Sequence, residues 1–260
     1  MILTIDIGNT NITLGGFLNE KLTFTSRMAT DKRRTKDQYA VEISAILKFY
    51  GVEKQIKSVC ISSVVPEITD SFRLAFLELY DINAVVIGPG VKTGLNIKID
   101  NPATLGADLV AGAVGATAKY ETPLIILDMG TATTLSAVNK NGEFIGGAIA
   151  AGVGITLSAL TENTSLLPSI NVKAPKKAIG SNTVECMQSG IIFGSAGMID
   201  GLIDRFKDEM KALGESEEVK TVVATGGRAE QIVPFCKNKI VTDNDLLLTG
   251  LLEIYKRNKN

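Results

Sequence analysis

Histidine is absent from the 260-residue chain. With it go the commonest general base, the usual nucleophile triads and nearly every zinc-site pattern, so any chemistry must rest on carboxylates, hydroxyls, main-chain amides and bound hard cations. Cysteine is scarce: Cys60, Cys186 and Cys236 are odd in number, far apart and set among apolar neighbours, and read as small buried side chains. A surplus of charge is missing too. Lysine and arginine number 27 against 28 aspartates and glutamates, so no net field draws the chain to nucleic acid or to an anionic membrane. No apolar run approaches the ~20 residues of a membrane span. The opening Met1-Ile2-Leu3-Thr4-Ile5-Asp6 has no basic region and meets a carboxylate at its sixth position, unlike a signal peptide or anchor. The expectation is a folded cytoplasmic protein with no nucleic-acid or membrane partner.

What is present begins with 45% apolar residues, enough for one large domain or two of ordinary size. The apolar run from Met1 to Ile5 is too short for a typical helix and reads as a buried strand. It delivers Asp6 to a strand end, followed by Ile7, Gly8, Asn9, Thr10 and Asn11, after which Ile12, Thr13 and Leu14 resume as a second strand. A glycine-bearing turn with amide and hydroxyl donors beside a carboxylate suits a polyphosphate and its Mg²⁺, although an ordinary polar turn has the same composition.

Further along, Asn19-Glu20 turns the chain into a third strand, Leu22 to Thr25. The basic Lys32-Arg33-Arg34 reads as a solvated loop. Thr35-Lys36-Asp37-Gln38 has capping-box form for a helix whose face is Ala40, Ile43, Leu47 and Tyr50. A strand from Val59 to Ile61 ends at Ser62-Ser63. Pro66 starts a helix with Ile68, Phe72, Ala75, Phe76 and Leu79 on one face. A short strand from Ala84 to Ile87, a loop to Asn101 and a Pro102-initiated helix to about Lys119 complete this half.

The pattern then begins again. Leu124 to Leu127 is an apolar strand leading into Asp128-Met129-Gly130-Thr131-Ala132-Thr133-Thr134 and a strand to Val138. Asn141-Gly142 signals a hairpin, and Phe144 to Ile149 is the third strand. The two acidic turns lie 122 residues apart and each joins the first two strands of a three-strand meander, which points to duplication. A short helix to Leu160, a loop to Asn182 and a long helix to about Leu213 follow. Glu215 to Glu218 reads as a charged surface turn. Thr221 to Ala224 is a strand running into Thr225-Gly226-Gly227, then come a helix to about Cys236, a short strand near Ile240 and a final helix from Leu246 to Tyr255. Each half is expected to be a mixed α/β sheet with helices on its faces, with a ligand between the halves facing both acidic turns.

These motifs together resemble the acetate and sugar kinase, heat-shock chaperone and actin superfamily, and within it the type III pantothenate kinases. The resemblance runs nearly end to end. It is carried by Asp6 to Asn11, Ser62-Ser63-Val64-Val65-Pro66, Gly94 to Asn96, Gly106-Ala107-Asp108, Asp128 to Thr133, Gly146-Gly147, Leu167-Pro168, Gly180 to Thr183 and Thr225-Gly226-Gly227, in that order. It implies two duplicated ribonuclease H-like domains, residues 1–120 and 121–260, each a five-stranded mixed sheet flanked by helices. It implies ATP-dependent phosphorylation of pantothenate, the first step of coenzyme A synthesis, by a homodimer. In this chain Asp6 would hold hydrated Mg²⁺. Residues Asp6, Ile7, Gly8, Asn9, Thr10, Asn11, Ile12 and Thr13, with Thr131, Gly226 and Gly227, would contact ATP. Asp128 would mark a monovalent cation site for K⁺ or NH₄⁺. Gly106, Ala107, Asp108, Leu109 and Thr183 would line the pantothenate site, with Asp108 as the base that orients and deprotonates the attacking hydroxyl.

Three positions depart from the family pattern. Leu109 stands where an arginine usually follows the catalytic aspartate, Ile99 where a tyrosine is common, and Ala151 where proline is usual. All three fall on or near the acceptor side, while the phosphate motifs are intact. Two alternatives therefore stand beside a pantothenate kinase: a nucleotide-binding regulator descended from such kinases, and a kinase of another small hydroxylated substrate.

Overall fold

A computed structural model of the chain describes residues 1–214 and 218–259; of the charged turn expected from Glu215 to Glu218, residues 215–217 lie outside them. The chain divides into two compact units. The first comprises Met1–Leu95, Asp100–Lys119 and Asp245–Asn260, the second Asn96–Ile99 and Tyr120–Asn244.

The first unit opens with an antiparallel meander, β1 (Ile2–Ile7), β2 (Asn11–Leu18) and β3 (Lys21–Ala29). Asn19 and Glu20 turn β2 into β3 with positive φ of 50° and 65°, the pairing that a tight two-residue hairpin requires. After α1 (Lys36–Phe49) the strand β4 (Ser58–Ser63) joins β1 in parallel, and after α2 (Pro66–Tyr80) the short β5 (Val85–Val86) joins β4. The sheet order is β3-β2-β1-β4-β5. Side chains alternate across a sheet, so Leu3, Ile5, Ile7, Val59 and Ile61 pack on one face against Tyr39, Ile43 and Leu47 of α1 and Ile68, Phe72 and Phe76 of α2. The capping box is formed as the sequence suggests: Gln38 N–H donates to Thr35 Oγ1 and Thr35 N–H to Gln38 Oε1. Tyr39, not read as a core residue, is fully buried, whereas Tyr50 and Leu79 are partly exposed.

In the second unit, β6 (Asn96–Ile97) precedes the meander of β7 (Leu124–Met129), β8 (Ala132–Val138) and β9 (Glu143–Ala151). Helices α4 (Val153–Glu162) and α5 (Thr183–Ala212) follow, then β10 (Thr221–Thr225), α6 (Ala229–Ile232) and β11 (Val241–Thr242). The order β11-β10-β7-β8-β9-β6 repeats that of the first sheet, meander strands on one side and two parallel strands on the other, with β6 added beyond β9. That addition makes the second sheet six-stranded rather than five-stranded. Three side chains fix it: Asn96 Nδ2 donates to Glu143 Oε1 at 2.6 Å, Asn139 Nδ2 donates to Glu143 Oε2 at 2.8 Å, and Lys98 Nζ lies 3.6 Å from the same carboxylate.

By length and mean hydropathy α5 could cross a membrane. Its Ile191, Ile192, Ala196, Ile199 and Ile203 instead fill the core of the second unit, and its buried Asp200 accepts from the N–H groups of Lys237 and Asn238 at 2.8 and 2.9 Å.

Chain order and packing part at the C-terminus. The last helix, α7 (Leu246–Asn258), belongs to the first unit, where with α3 (Ala107–Lys119) it covers the second face of the sheet. The approach is close enough to demand glycine. A Cβ on Gly250 would collide with the Ala111 carbonyl and lie 2.8 Å from Gly115 N, and a Cβ on Gly115 would meet the Leu246 carbonyl. The helix expected from Pro102 begins instead at Ala107, because residues 102–104 form a separate 3₁₀ turn capped by Asn101. Of the cysteines, Cys60 is buried, Cys236 half-buried and Cys186 exposed in the first turns of α5, so the expectation of three buried thiols fails there. The basic loop is exposed as read but also ion-paired: Lys32 to Glu67, Arg33 to Asp31 and Arg34 to Glu42.

Candidate active site

In the first unit Asp6 is the last polar residue of β1, in register with Thr13 of β2 and with Ser62 of β4. The turn beyond it is closed by Gly8 N–H donating to the Asn11 carbonyl at 3.0 Å, and Thr30 Oγ1 donates to the Gly8 carbonyl at 2.7 Å. Gly8 is thus held, while Asn9, Thr10 and Asn11 are exposed at the tip. Ile7 and Ile12 are fully buried.

Asp108 sits in the first turn of α3. Gly106, just before the helix, packs against the Asp108 carboxylate, with Val64 beneath, which sets this helix end over the end of β4. Burial raises the Asp108 pKa above the ordinary carboxylate value, and the N–H groups of Leu109 and of Asp108 itself oppose the rise only in part. The Leu109 N–H donates to Asp108 Oδ1 at 2.8 Å. A carboxylate restrained in this way, with its proton affinity raised, is chemically suited to accept a proton from a hydroxyl.

The second unit repeats the acid at a strand end. Asp128 of β7 is in register with Thr134 of β8 and with Thr225 of β10. Gly226 follows at φ +93°, and a Cβ there would lie 2.6 Å from Asp128 Oδ1 and from Met129 N, so both its conformation and its proximity to the acid require glycine. Thr131 and Gly227 are exposed. Gly152 lies under the 130–131 turn, where a Cβ would strike the Thr131 carbonyl. Thr183 opens α5 on the exposed surface, behind an Asn182 cap whose Oδ1 accepts from Glu185 N–H at 3.0 Å.

The structure thus gathers Asp6, the 8–11 turn, Gly106 and Asp108 in the first unit, and Asp128, Thr131, Gly226 and Gly227 in the second. Ile99 is half-buried immediately beyond β6. Sequence reasoning assigned no role to Ser62 or Thr225, the hydroxyls beside the two acids. Their cross-strand register becomes visible only when the sheet is built. Among the described residues no three acidic or cysteine side chains converge as a cation cage. A lone strand-end carboxylate still fits Mg²⁺, which usually keeps its waters and takes one or two carboxylates together with substrate phosphates.

The fold is therefore a pair of duplicated meander sheets, each with an acid at the end of its first strand. Solved structures of this kind include a Baf family transcriptional activator from Campylobacter jejuni (TM-score 0.62, 18% identity, 98% of each chain covered). Another is (R)-2-hydroxyglutaryl-CoA dehydratase component A from Acidaminococcus fermentans (TM-score 0.57, 15% identity, 99% of each chain covered). Likeness at such identity concerns the fold alone. The type III pantothenate kinase family model matches residues 2–205. A type III pantothenate kinase of Geobacter sulfurreducens is 42% identical over 260 residues, covering 100% of both chains. The chain belongs to the type III pantothenate kinase family.

Proposed function

We propose that this enzyme transfers the γ-phosphoryl group of ATP to the primary hydroxyl of pantothenate, giving 4'-phosphopantothenate, the first step of coenzyme A synthesis. The observation that carries the reading is the full-length 42% identity to a curated type III pantothenate kinase, joined to a half-buried Asp108 of raised proton affinity. Asp108 orients the attacking hydroxyl and accepts its proton, and Gly106, Ala107, Leu109 and Thr183 line the acceptor. The Asp6 to Thr13 segment, Thr131, Gly226 and Gly227 hold the nucleotide. Mg²⁺ at Asp6, when bound, neutralises phosphate charge during transfer. K⁺ or NH₄⁺ binds near Asp128. Leu109 deprives the acceptor's carboxylate of the guanidinium that usually follows the catalytic aspartate in this family.

The same proposal includes a cytoplasmic homodimer. Support for the dimer comes from the second unit, which exposes Ile149, Ile155 and Val184. Gly190, Gly194, Gly197 and Gly201 also run along α5 with open space where a side chain would be. The test is direct: purified protein with ATP, Mg²⁺ and pantothenate should release ADP and form phosphopantothenate, and faster with K⁺ or NH₄⁺ than with Na⁺. No product with any of these cations would reject the reading.

A further inference from the structure

The second face of the first sheet carries a row of small polar groups under α3 and α7. Ser58, Cys60 and Ser62 alternate along β4 with Val59, Ile61 and Ser63. The latter set faces α1 and α2, since Val59 and Ile61 lie in that core and Ser63 Oγ accepts from Thr69 of α2 at 2.7 Å. The former set faces α7, since Tyr255 reaches Ser58 Oγ at 2.5 Å. On the same side Thr4 Oγ1 donates to the Gly15 carbonyl at 3.2 Å. Ser62 differs from these neighbours. It is 0% exposed, and its Oγ has no hydrogen-bond partner among the described residues.

A buried hydroxyl left unpaired costs free energy, and such groups in folded proteins call for an explanation. Ser62 pairs in parallel register with Asp6. Residues facing each other on neighbouring strands lie about 4.8 Å apart with side chains on the same face, so one χ1 rotation of serine spans the gap to a carboxylate. The duplicated half repeats the arrangement, since the residue in register with Asp128 is also a buried hydroxyl, Thr225.

We propose that Ser62 is a positioning residue for Asp6: its O–H donates to the Asp6 carboxylate and holds it in the orientation that takes Mg²⁺. A hydroxyl can donate to one carboxylate oxygen while the other points to the cation's water shell, and a charge-assisted bond of this kind is stronger than a neutral one. The inference rests on the proposed nucleotide and Mg²⁺ role of Asp6 but not on the identity of the acceptor.

The test measures binding of a non-hydrolysable ATP analogue by calorimetry, with and without Mg²⁺, in wild type, Ser62→Ala and Ser62→Thr, together with thermal melts of the free proteins. Ser62→Ala should cut the Mg²⁺-dependent gain in affinity about three- to tenfold and leave Mg²⁺-free binding unchanged. The melts of the free proteins separate this Mg²⁺-specific loss from a general loss of packing. Ser62→Thr, which keeps the hydroxyl, should retain most of the gain. The proposal is overturned if Ser62→Ala keeps the full Mg²⁺-dependent gain. It is equally overturned if that variant loses Tm and binds more weakly to the same degree with and without Mg²⁺, as a packing residue would. A wild type that shows the gain but does not phosphorylate pantothenate would reject the proposed function and leave Ser62 intact.

Discussion

An aspartate in the first turn of a helix is ordinarily held in its charged form by the N–H groups and dipole there. At Asp108 burial outweighs them and the pKa is raised. The sign of the consequence follows from linkage. A carboxyl whose folded pKa exceeds its unfolded value contributes stability below the unfolded value, near pH 3.9, and that contribution is lost as pH rises through the folded pKa. Above the folded pKa the ionised side chain therefore works against folding. Asp108→Asn should slow phosphoryl transfer by at least ~10²-fold while raising Tm at pH 7.5, with the Tm gain shrinking as pH falls towards the unfolded value. Turnover assays and melts over the same pH range check both halves, and a fall in Tm at neutral pH would contradict the assignment. The acid limb of kcat/KM should lie above that of an ordinary aspartate.

Among the elements, α3 and α7 depend on each other most closely. Gly115 and Gly250 let the two backbones approach to a distance that no side chain tolerates. Gly250→Val should destabilise the first unit by about 1–3 kcal/mol or more through overpacking, read as a shifted denaturant midpoint. Local signals made much of this architecture legible in the sequence. The Thr35 and Gln38 capping box, the Asn19-Glu20 turn and the acids at the ends of β1 and β7 are each set by a few adjacent residues. The destination of α7 was not legible. Apolar residues from Leu246 to Ile254 announce a buried helix face, but their spacing does not say which sheet will cover it. Ser62 was hidden for a related reason, since its neighbour Asp6 is 56 residues away in the chain and adjacent only across a parallel pair. The sixth strand of the second sheet is two residues long, too short for any pattern to reveal, and depends on the side chains around Glu143.

At the scale of the whole molecule, the two sheets repeat one topology, down to a hydroxyl in register beside each strand-end acid. One such half serves a divalent cation in the proposed function and the other a monovalent one. The duplication therefore preserved a frame while its contents diverged. Assembly is the property open to direct measurement at this scale. Light scattering at micromolar concentration should give a dimer, and Gly194→Arg, which adds a charge to the open glycine row of α5, should give a folded monomer with unchanged circular dichroism. A Gly194→Arg variant that stays dimeric would move the interface elsewhere.

The placement of α7 also sets an order for synthesis. Residues 1–119 emerge from the ribosome with one face of their sheet bearing Phe17, whose partners Leu248 and Leu252 have not yet been made. About 126 further residues separate α3 from α7, roughly 6–25 s of translation at ordinary rates. Throughout that interval α3 alone lies over that face, the apolar patch around Phe17 that α7 later covers stays open, and chaperone capture would be concentrated there.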